Sequence, residues 1–169
     1  FNNPAAEIIT IIFMILAGIN FSLHYAAFFK GKWSIYWKND ESRYYLLIIL
    51  FSSFIIWISL LNFGQANALR HSFFQVSSII TTTGYSSVNF ENWPIITHYV
   101  LLLLMFIGGC SGSTGGGMKV FRLLIILRII KGELLRIIHP SAVKPVTFSG
   151  AIVDTKIINS ILCFVFTYG

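Results

Sequence analysis

Two long stretches of the sequence carry no charged side chain, and they constrain the fold more than any other feature. Ile8 to Phe29 covers 22 residues, and Tyr44 to Leu61 covers 18. A helix needs about 20 apolar residues to cross a hydrocarbon core about 30 Å thick. Charged residues make up only 11% of the chain, against roughly 25% in soluble domains. The sequence therefore predicts an all-α polytopic membrane protein in which both stretches are spans.

Further apolar runs follow these two. We predict the first part of an inner transmembrane helix at 93–107 and the start of another span at 151–169, where Asp154 and Lys156 are ordinary boundary charges. No basic region precedes the run from Ile8, which disfavours a signal peptide. The sequence begins without methionine and stops inside an apolar run, so we expect an internal piece of a longer protein.

Lysine and arginine concentrate in two connections, at 30–43 and after residue 118. The first group is Lys30, Lys32, Lys38 and Arg43, and the second is Lys119, Arg122, Arg128, Lys131, Arg136 and Lys144. By the positive-inside rule we expect both groups to be cytoplasmic. The formal charge of +6 is then explained by lipid topology, and no nucleic-acid partner is expected.

The connection between the second span and the next apolar run is predicted to enter the membrane and return to the outer side. Ala66 to Ile80 is too short and too polar to cross, yet its apolar residues recur at helical spacing. We predict a pore helix at 66–81, which would direct the negative end of its dipole at the next segment. Three polar residues are expected to cap it: Asn62, Gln65 and Asn67.

The hydroxyl-rich segment Thr81-Thr-Thr-Gly-Tyr-Ser-Ser87 contains no carboxylate. Extended backbone there can present carbonyl oxygens to a dehydrated cation, and uncharged oxygens favour K+ over Ca2+. Gly84 permits a positive φ or a close approach of neighbouring loops. We call residues 82–87 the filter segment. Glu91 is interpreted as a solvated charge beyond it, and Trp93 and Pro94 as the interface and the first turn of the returning helix.

Six of the 13 glycines fall in Gly108-Gly-Cys-Ser-Gly-Ser-Thr-Gly-Gly-Gly-Met118, which we call the glycine-rich loop. Non-helical backbone at membrane depth is tolerated where it is buried in protein or lines a water-filled cavity. Because glycine is about 1 kcal/mol poorer than alanine in a helix, the loop is easy to rearrange. We interpret it as a movable barrier, followed by a helix at 119–138. A helix-packing face of small residues is the alternative.

Two enzymatic interpretations of this loop fit poorly. A nucleotide-binding P-loop needs Ser or Thr after its lysine, whereas Val120 follows Lys119. Gly109 to Gly112 fits the Gly-x-Ser-Gly pattern of rhomboid intramembrane proteases, with Ser111 as nucleophile, but His139 alone follows it and lies in a basic connection. We therefore predict no enzymatic activity and no organic cofactor.

The cysteines and histidines of the chain indicate no metal site or catalytic site. Cys110 and Cys163 have no second ligand at metal spacing and are predicted to be small buried residues. The stretch 139–150 is predicted to be a cytoplasmic connection, and its part from His139 to Pro145 is predicted to be extended, because residues before proline avoid the helical region. Three histidines are interpreted as interfacial or packing residues: His24, His71 and His98.

Three motifs together resemble the third pore repeat of the membrane subunit of Trk-type bacterial potassium uptake proteins, in the Trk/Ktr/HKT superfamily. They are Thr-Thr-Thr-Gly-Tyr at 81–85, Asn-Trp-Pro at 92–94 and the glycine-rich loop with Met-Lys at 118–119. The resemblance implies four repeats of helix, pore loop and helix around one pore. Residues 1–29 would then end the preceding repeat, and 44–61 would be the outer helix of the third.

The resemblance also implies functional residues. Filter backbone would bind K+ as a transported ion at Thr82, Thr83, Gly84 and Tyr85. The gate would comprise Gly108, Gly109, Cys110, Ser111, Gly112, Ser113, Thr114, Gly115, Gly116, Gly117 and Met118. Lys119 follows this gate directly, and we interpret its positive charge as a candidate for blocking cations in a closed state.

Partners and location follow from the same resemblance. It implies the remaining pore repeats of the same polypeptide, a homodimer, the lipid bilayer of the bacterial inner membrane with the filter on the periplasmic side, and a cytosolic regulatory ring that binds NAD or ATP. A non-conducting scaffold or receptor subunit that keeps the pore-loop shape is the alternative. The sequence leaves open whether transport is channel-like or coupled to Na+ or H+.

Overall fold

The computed structural model describes residues 3–138 and 147–168, and these ranges are mostly helical, as predicted. The helices are α1 Pro4–Ala17, α2 Phe21–Lys30, α3 Ile35–Lys38, α4 Asp40–Asn62, α5 Ala68–Ile80, α6 Ile95–Ile107, α7 Val120–Ile138 and α8 Thr155–Tyr168. An antiparallel hairpin of β1 Thr147–Phe148 and β2 Ala151–Ile152 precedes α8. The sequence did not predict this hairpin, which begins within the connection expected at 139–150. The extended part expected from His139 to Pro145 lies outside the described residues.

The span predicted from Ile8 to Phe29 is not one continuous helix. The chain there forms α1 and α2, which meet at an angle of 100°. Asn20 ends the break, because its side chain accepts a hydrogen bond from the backbone N–H of Ser22 at 2.8 Å and so caps α2. A Cβ atom on Gly18 would overlap the hydroxyl of Tyr45, so glycine allows the bend to approach α4 closely.

Helix α4 is the long span of the described part of the chain. Its 23 residues are long and apolar enough to cross a membrane, whereas α1 and α2 meet that criterion only as a bent pair. It begins at Asp40 rather than Tyr44, because Asn39 caps it by accepting from Ser42 N–H at 3.0 Å. The loop predicted at 30–43 therefore contains α3 and the first turn of α4.

Helix α5 lies inside the fold and packs against α1, α4 and α6. Its buried serines, among them Ser77 and Ser78, are small and allow close approach of these neighbours. The predicted side-chain cap is wrong: Asn67 precedes α5 but makes no capping hydrogen bond. Its φ of 56° is left-handed, unlike the extended conformation that capping residues usually adopt.

Burial adds to the picture of two further residues. Trp93 is only 6% exposed and packs in the apolar core, while its place at the membrane interface stays a prediction. Cys110 is buried as predicted, but Cys163 is exposed on α8. Apolar side chains such as Phe13, Phe51 and Leu103 cover much of the outer surface, as expected of a membrane fold.

The second helix of the predicted repeat is broken, as expected. Helix α6 ends at Ile107 and α7 begins at Val120, with the glycine-rich loop between them. The loop closes on itself, since Met118 N–H donates to Phe106 O at 3.0 Å and Val120 N–H donates to Gly109 O at 3.1 Å. These bonds bring the end of the loop and the start of α7 close to the end of α6.

Candidate functional site

The filter segment leaves the C-terminal end of α5 with its backbone N–H groups turned back to that helix. Ser78 O accepts from Thr83 N–H at 2.9 Å and from Gly84 N–H at 3.3 Å. Ser78 Oγ also donates to Tyr85 O at 2.5 Å. One serine therefore fixes both the beginning and the end of the turn around Gly84.

The backbone carbonyl groups of the filter segment differ from its N–H groups in their hydrogen bonding. No residue of the described ranges donates a hydrogen bond to the carbonyl oxygen of Thr82, Thr83 or Gly84. These residues and Tyr85 are exposed, so the segment presents unpaired oxygens at a surface. Gly84 has a φ of 76°, the positive value that its sequence position suggested. Thr82 shares this left-handed conformation with a φ of 56°, which strains a β-branched residue.

The glycine-rich loop packs against the bend between α1 and α2. Cys110 N–H donates to Gly18 O at 2.9 Å, and Thr114 Oγ1 donates to Ala17 O at 3.1 Å. In the opposite direction, Phe21 N–H donates to Gly112 O at 3.1 Å. The bend that the sequence did not reveal is therefore one wall of the loop.

The same loop also touches the filter segment. Gly116 N–H donates to Thr82 Oγ1 at 2.8 Å. Lys119, predicted to lie next to the loop, donates from Nζ to Gly115 O and so places its ammonium on the loop backbone. The structure thus brings the predicted filter, the predicted gate and Lys119 into one connected cluster.

Glu41 is the residue of this cluster that the sequence did not reveal. Its Oε1 accepts from Ser111 N–H at 2.6 Å and from Phe121 N–H at 3.1 Å, and its side chain is buried. The contacts join residues 70 and 80 positions apart, so no local pattern marks them. An acidic residue in the first turn of a span is the one signal that could have drawn attention to it.

A second acidic residue, Glu7, supports α5 from α1. Its Oε2 lies 2.6 Å from Arg70 Nε, close enough for an ion pair although the two groups are not aligned for a hydrogen bond. The Glu7 side chain is 3% exposed and that of Arg70 is 25% exposed. Arg70 therefore ties α5 to α1.

The described residues contain no group of three or more His, Cys, Asp or Glu side chains suited to hold a metal ion. Any cation at this site would meet uncharged oxygens of the filter segment. A short, largely buried helix, an oxygen-bearing turn and a glycine-broken helix are the features of a pore-loop membrane protein. A family model described as "TrkH: Cation transport protein" matches residues 1–168, and the chain belongs to that family. The resemblance to Trk-type proteins is confirmed.

Two curated proteins to which the chain is similar support this family membership. The chain is 36% identical over 172 residues to the Trk system potassium uptake protein TrkH of Halomonas elongata, covering 99% of this chain and 36% of that protein. It is 34% identical over 172 residues to the Trk system potassium uptake protein TrkG of Escherichia coli, covering 99% of this chain and 35% of the relative. The chain thus spans about a third of the length of these relatives.

A solved structure has the same fold. The crystal structure of the potassium transporter TrkH from Vibrio parahaemolyticus superimposes with a TM-score of 0.93 and 34% sequence identity, covering 99% of this chain and 37% of that one. Together with the helical architecture described above, this match confirms the predicted polytopic all-α membrane fold.

Proposed function

We propose that this chain supplies one pore repeat of a K+ uptake protein, with a selectivity filter at residues 82–85 and a gate at residues 108–118. The observation that carries the proposal is the set of exposed, unpaired carbonyl oxygens of Thr82, Thr83 and Gly84, beside a loop that hydrogen-bonds to Thr82. Support also comes from the potassium uptake proteins to which the chain is similar.

Selection in this filter would rest on carbonyl dipoles. A K+ ion that loses its water shell needs several oxygens around it, and one repeat offers a fraction of them. The other repeats of the same polypeptide would complete the ring. Helix α5 ends at the filter segment, so the negative end of its dipole also favours a cation there.

The glycine-rich loop would close the pore beneath this ring. It occupies the break between α6 and α7 and is joined to the filter by the bond from Gly116 to Thr82. Displacement of the loop would open the path, and Lys119 would move with it because its ammonium binds Gly115 O. In the closed state that ammonium would repel cations.

The whole protein is proposed to reside in the bacterial inner membrane with the filter on the periplasmic side and the basic loops in the cytoplasm. Its proposed partners are the bilayer, a second copy in a homodimer and a cytosolic ring that binds NAD or ATP. We propose no nucleic-acid partner, no organic cofactor and no enzymatic reaction. The family is one of cation transport proteins, which supports the last point.

Rubidium uptake tests the proposal. Potassium-depleted cells would express the full-length protein in its native form or with Gly115 to Gly117 deleted, and membrane abundance would be measured in parallel. We expect uptake by the native protein and altered gating in the deletion variant. Absence of uptake from a well-expressed native protein would contradict the proposal and favour a non-conducting scaffold or receptor subunit.

A further inference from the structure

We propose that Glu41 is the positioning residue that holds the glycine-rich loop in its blocking position. The inference rests on the proposed gate at residues 108–118 and adds to it the group that fixes the gate. The contacts of the loop with the α1–α2 bend and with Thr82 use neutral donors and acceptors. Glu41 instead brings a carboxyl group to the loop, where it accepts from Ser111 N–H.

One oxygen of Glu41 joins the glycine-rich loop to the start of α7. Ser111 lies within the loop, and Phe121 is in the first turn of α7. The bond to Ser111 N–H measures 2.6 Å and the bond to Phe121 N–H 3.1 Å. A loop that moves while α7 stays in place would release the first bond and keep the second. Ser111 is therefore the detachable contact, and Phe121 is the fixed one.

The position of the Glu41 carboxyl group is itself well determined. Asn39 caps α4 just before it, and Asp40 Oδ2 lies 2.8 Å from Arg128 Nη2 on α7. Glu41 is 5% exposed, so water has little access to replace it as an acceptor. A backbone N–H left unpaired at such a site carries a large penalty. The hydrogen bond from Ser111 N–H to Glu41 therefore favours return of the loop after each displacement.

Cys110 provides a readout that does not depend on transport. It adjoins Ser111, its thiol is free and its residue is 1% exposed, so it becomes reactive when the loop leaves its place. The test uses the full-length protein with Cys110 as its sole cysteine, reconstituted in liposomes. The rate of alkylation by N-ethylmaleimide would be measured for native protein, E41Q, E41D and E41A.

The three variants separate the acceptor from the charge. E41Q keeps an oxygen at the same reach, whereas E41D keeps the charge but withdraws the oxygen by one methylene. We expect E41A and E41D to alkylate about tenfold faster or more, because a hydrogen bond to a charged acceptor is worth that factor. E41Q is expected to remain within about threefold of native, as a neutral acceptor loses part of that strength. Should E41A fail to accumulate in membranes, the comparison of E41D with E41Q decides.

Rubidium leak from the same liposomes would be measured without any activating partner. Raised leak in E41D and E41A, with E41Q near native, supports the proposal. Native-like alkylation of Cys110 in both E41D and E41A would overturn it, even if uptake by native protein is normal. Equal acceleration in E133Q, whose carboxylate is exposed on α7 and has no contact with the loop, would overturn it as well. If native protein shows no flux while alkylation follows the expected order, the role of Glu41 stands and the proposed transport function fails.

Discussion

The side-chain oxygen of Thr82 accepts a hydrogen bond from the backbone N–H of Gly116 at 2.8 Å, which joins the proposed filter directly to the proposed gate. Thr82 accepts this bond from a left-handed backbone conformation with a φ of 56°. Such a conformation is sparsely populated for β-branched residues, and it persists where surrounding contacts hold it. The position of the loop and the conformation at Thr82 are therefore coupled.

Replacing Thr82 with valine removes the acceptor but keeps the shape and the β-branch. A neutral hydrogen bond contributes about 0.5–1.5 kcal/mol, so we expect closed-state rubidium leak to rise roughly two- to tenfold. Thr82→Ser keeps the hydroxyl and is the matched control, with leak expected near native. Equal leak in Thr82→Val and Thr82→Ser would show that the bond does not restrain the gate.

Gly84→Ala tests the filter through its backbone. Gly84 has a φ of 76° and no atom of the described residues near a would-be Cβ, so the change acts by conformational strain of about 1–3 kcal/mol. We expect the preference for rubidium over sodium in uptake to fall by roughly tenfold, a difference of about 1.4 kcal/mol.

Gly64 supplies the matched control for that change. Its φ is 75° and a Cβ there would also meet open space, but it lies before α5 and outside the filter segment. Gly64→Ala is expected to lower thermal stability about as much as Gly84→Ala while leaving ion preference at its native value. An equal loss of ion preference in both variants would contradict the assignment of the filter.

Gly108→Ala is expected to destabilise the glycine-rich loop strongly. The added methyl group would overlap Gly116 O, and the φ of 68° disfavours any side chain. Overpacking and backbone strain together suggest a loss of about 3 kcal/mol, visible as a lower unfolding temperature of the purified full-length protein. Gly132→Ala, on α7 with open space around it, should instead be neutral or stabilising by up to about 1 kcal/mol. Similar behaviour of the two variants would argue against close packing of the loop.

Glu7→Gln should weaken the attachment of α5 to α1. It removes the charged partner of Arg70, and we expect a loss of about 2 kcal/mol, below the value for fully buried pairs because Arg70 is 25% exposed. Glu133→Gln is the control, since Glu133 and Arg136 are 3.9 Å apart and both 66% exposed. Its effect should stay within about 0.5 kcal/mol. Denaturation of the detergent-solubilised protein measures both, and equal losses would show that the Glu7 pair is not a tether.

Much of the helical architecture is predictable because lipid imposes long apolar runs. The core of α4, the half-length helix α5 and the break after α6 all follow from run length, polarity and glycine content. The bend between α1 and α2 escaped prediction because no charge interrupts the run from Ile8 to Phe29. Gly18 and Asn20 mark the bend locally, but each is also tolerated inside a membrane helix.

The site was partly predictable for a similar reason. Each of the two predicted site segments, 82–85 and 108–118, is a continuous stretch of sequence. Its unusual composition is therefore visible along the chain. Glu41 and Glu7 act on residues far from them in sequence, and nothing near either position indicates its partner. The capping expected from Asn67 failed because its backbone adopts the left-handed conformation. Local sequence patterns do not reveal contacts between residues that only tertiary packing brings together.

The distances along the chain between the loop and its anchors have a consequence for biosynthesis. Ser111 reaches Glu41 across 70 residues, and Thr114 reaches Ala17 across 97. Contacts of such sequence separation form late, after the segments they join have been made and brought together. The loop can therefore dock only after α1 and α4 are in place, because it contacts Ala17 and Glu41. Glu41 also binds Phe121, so docking of the loop is linked to the placement of α7. Docking of the glycine-rich loop is then among the late events of assembly, and the burial of Cys110 marks its completion.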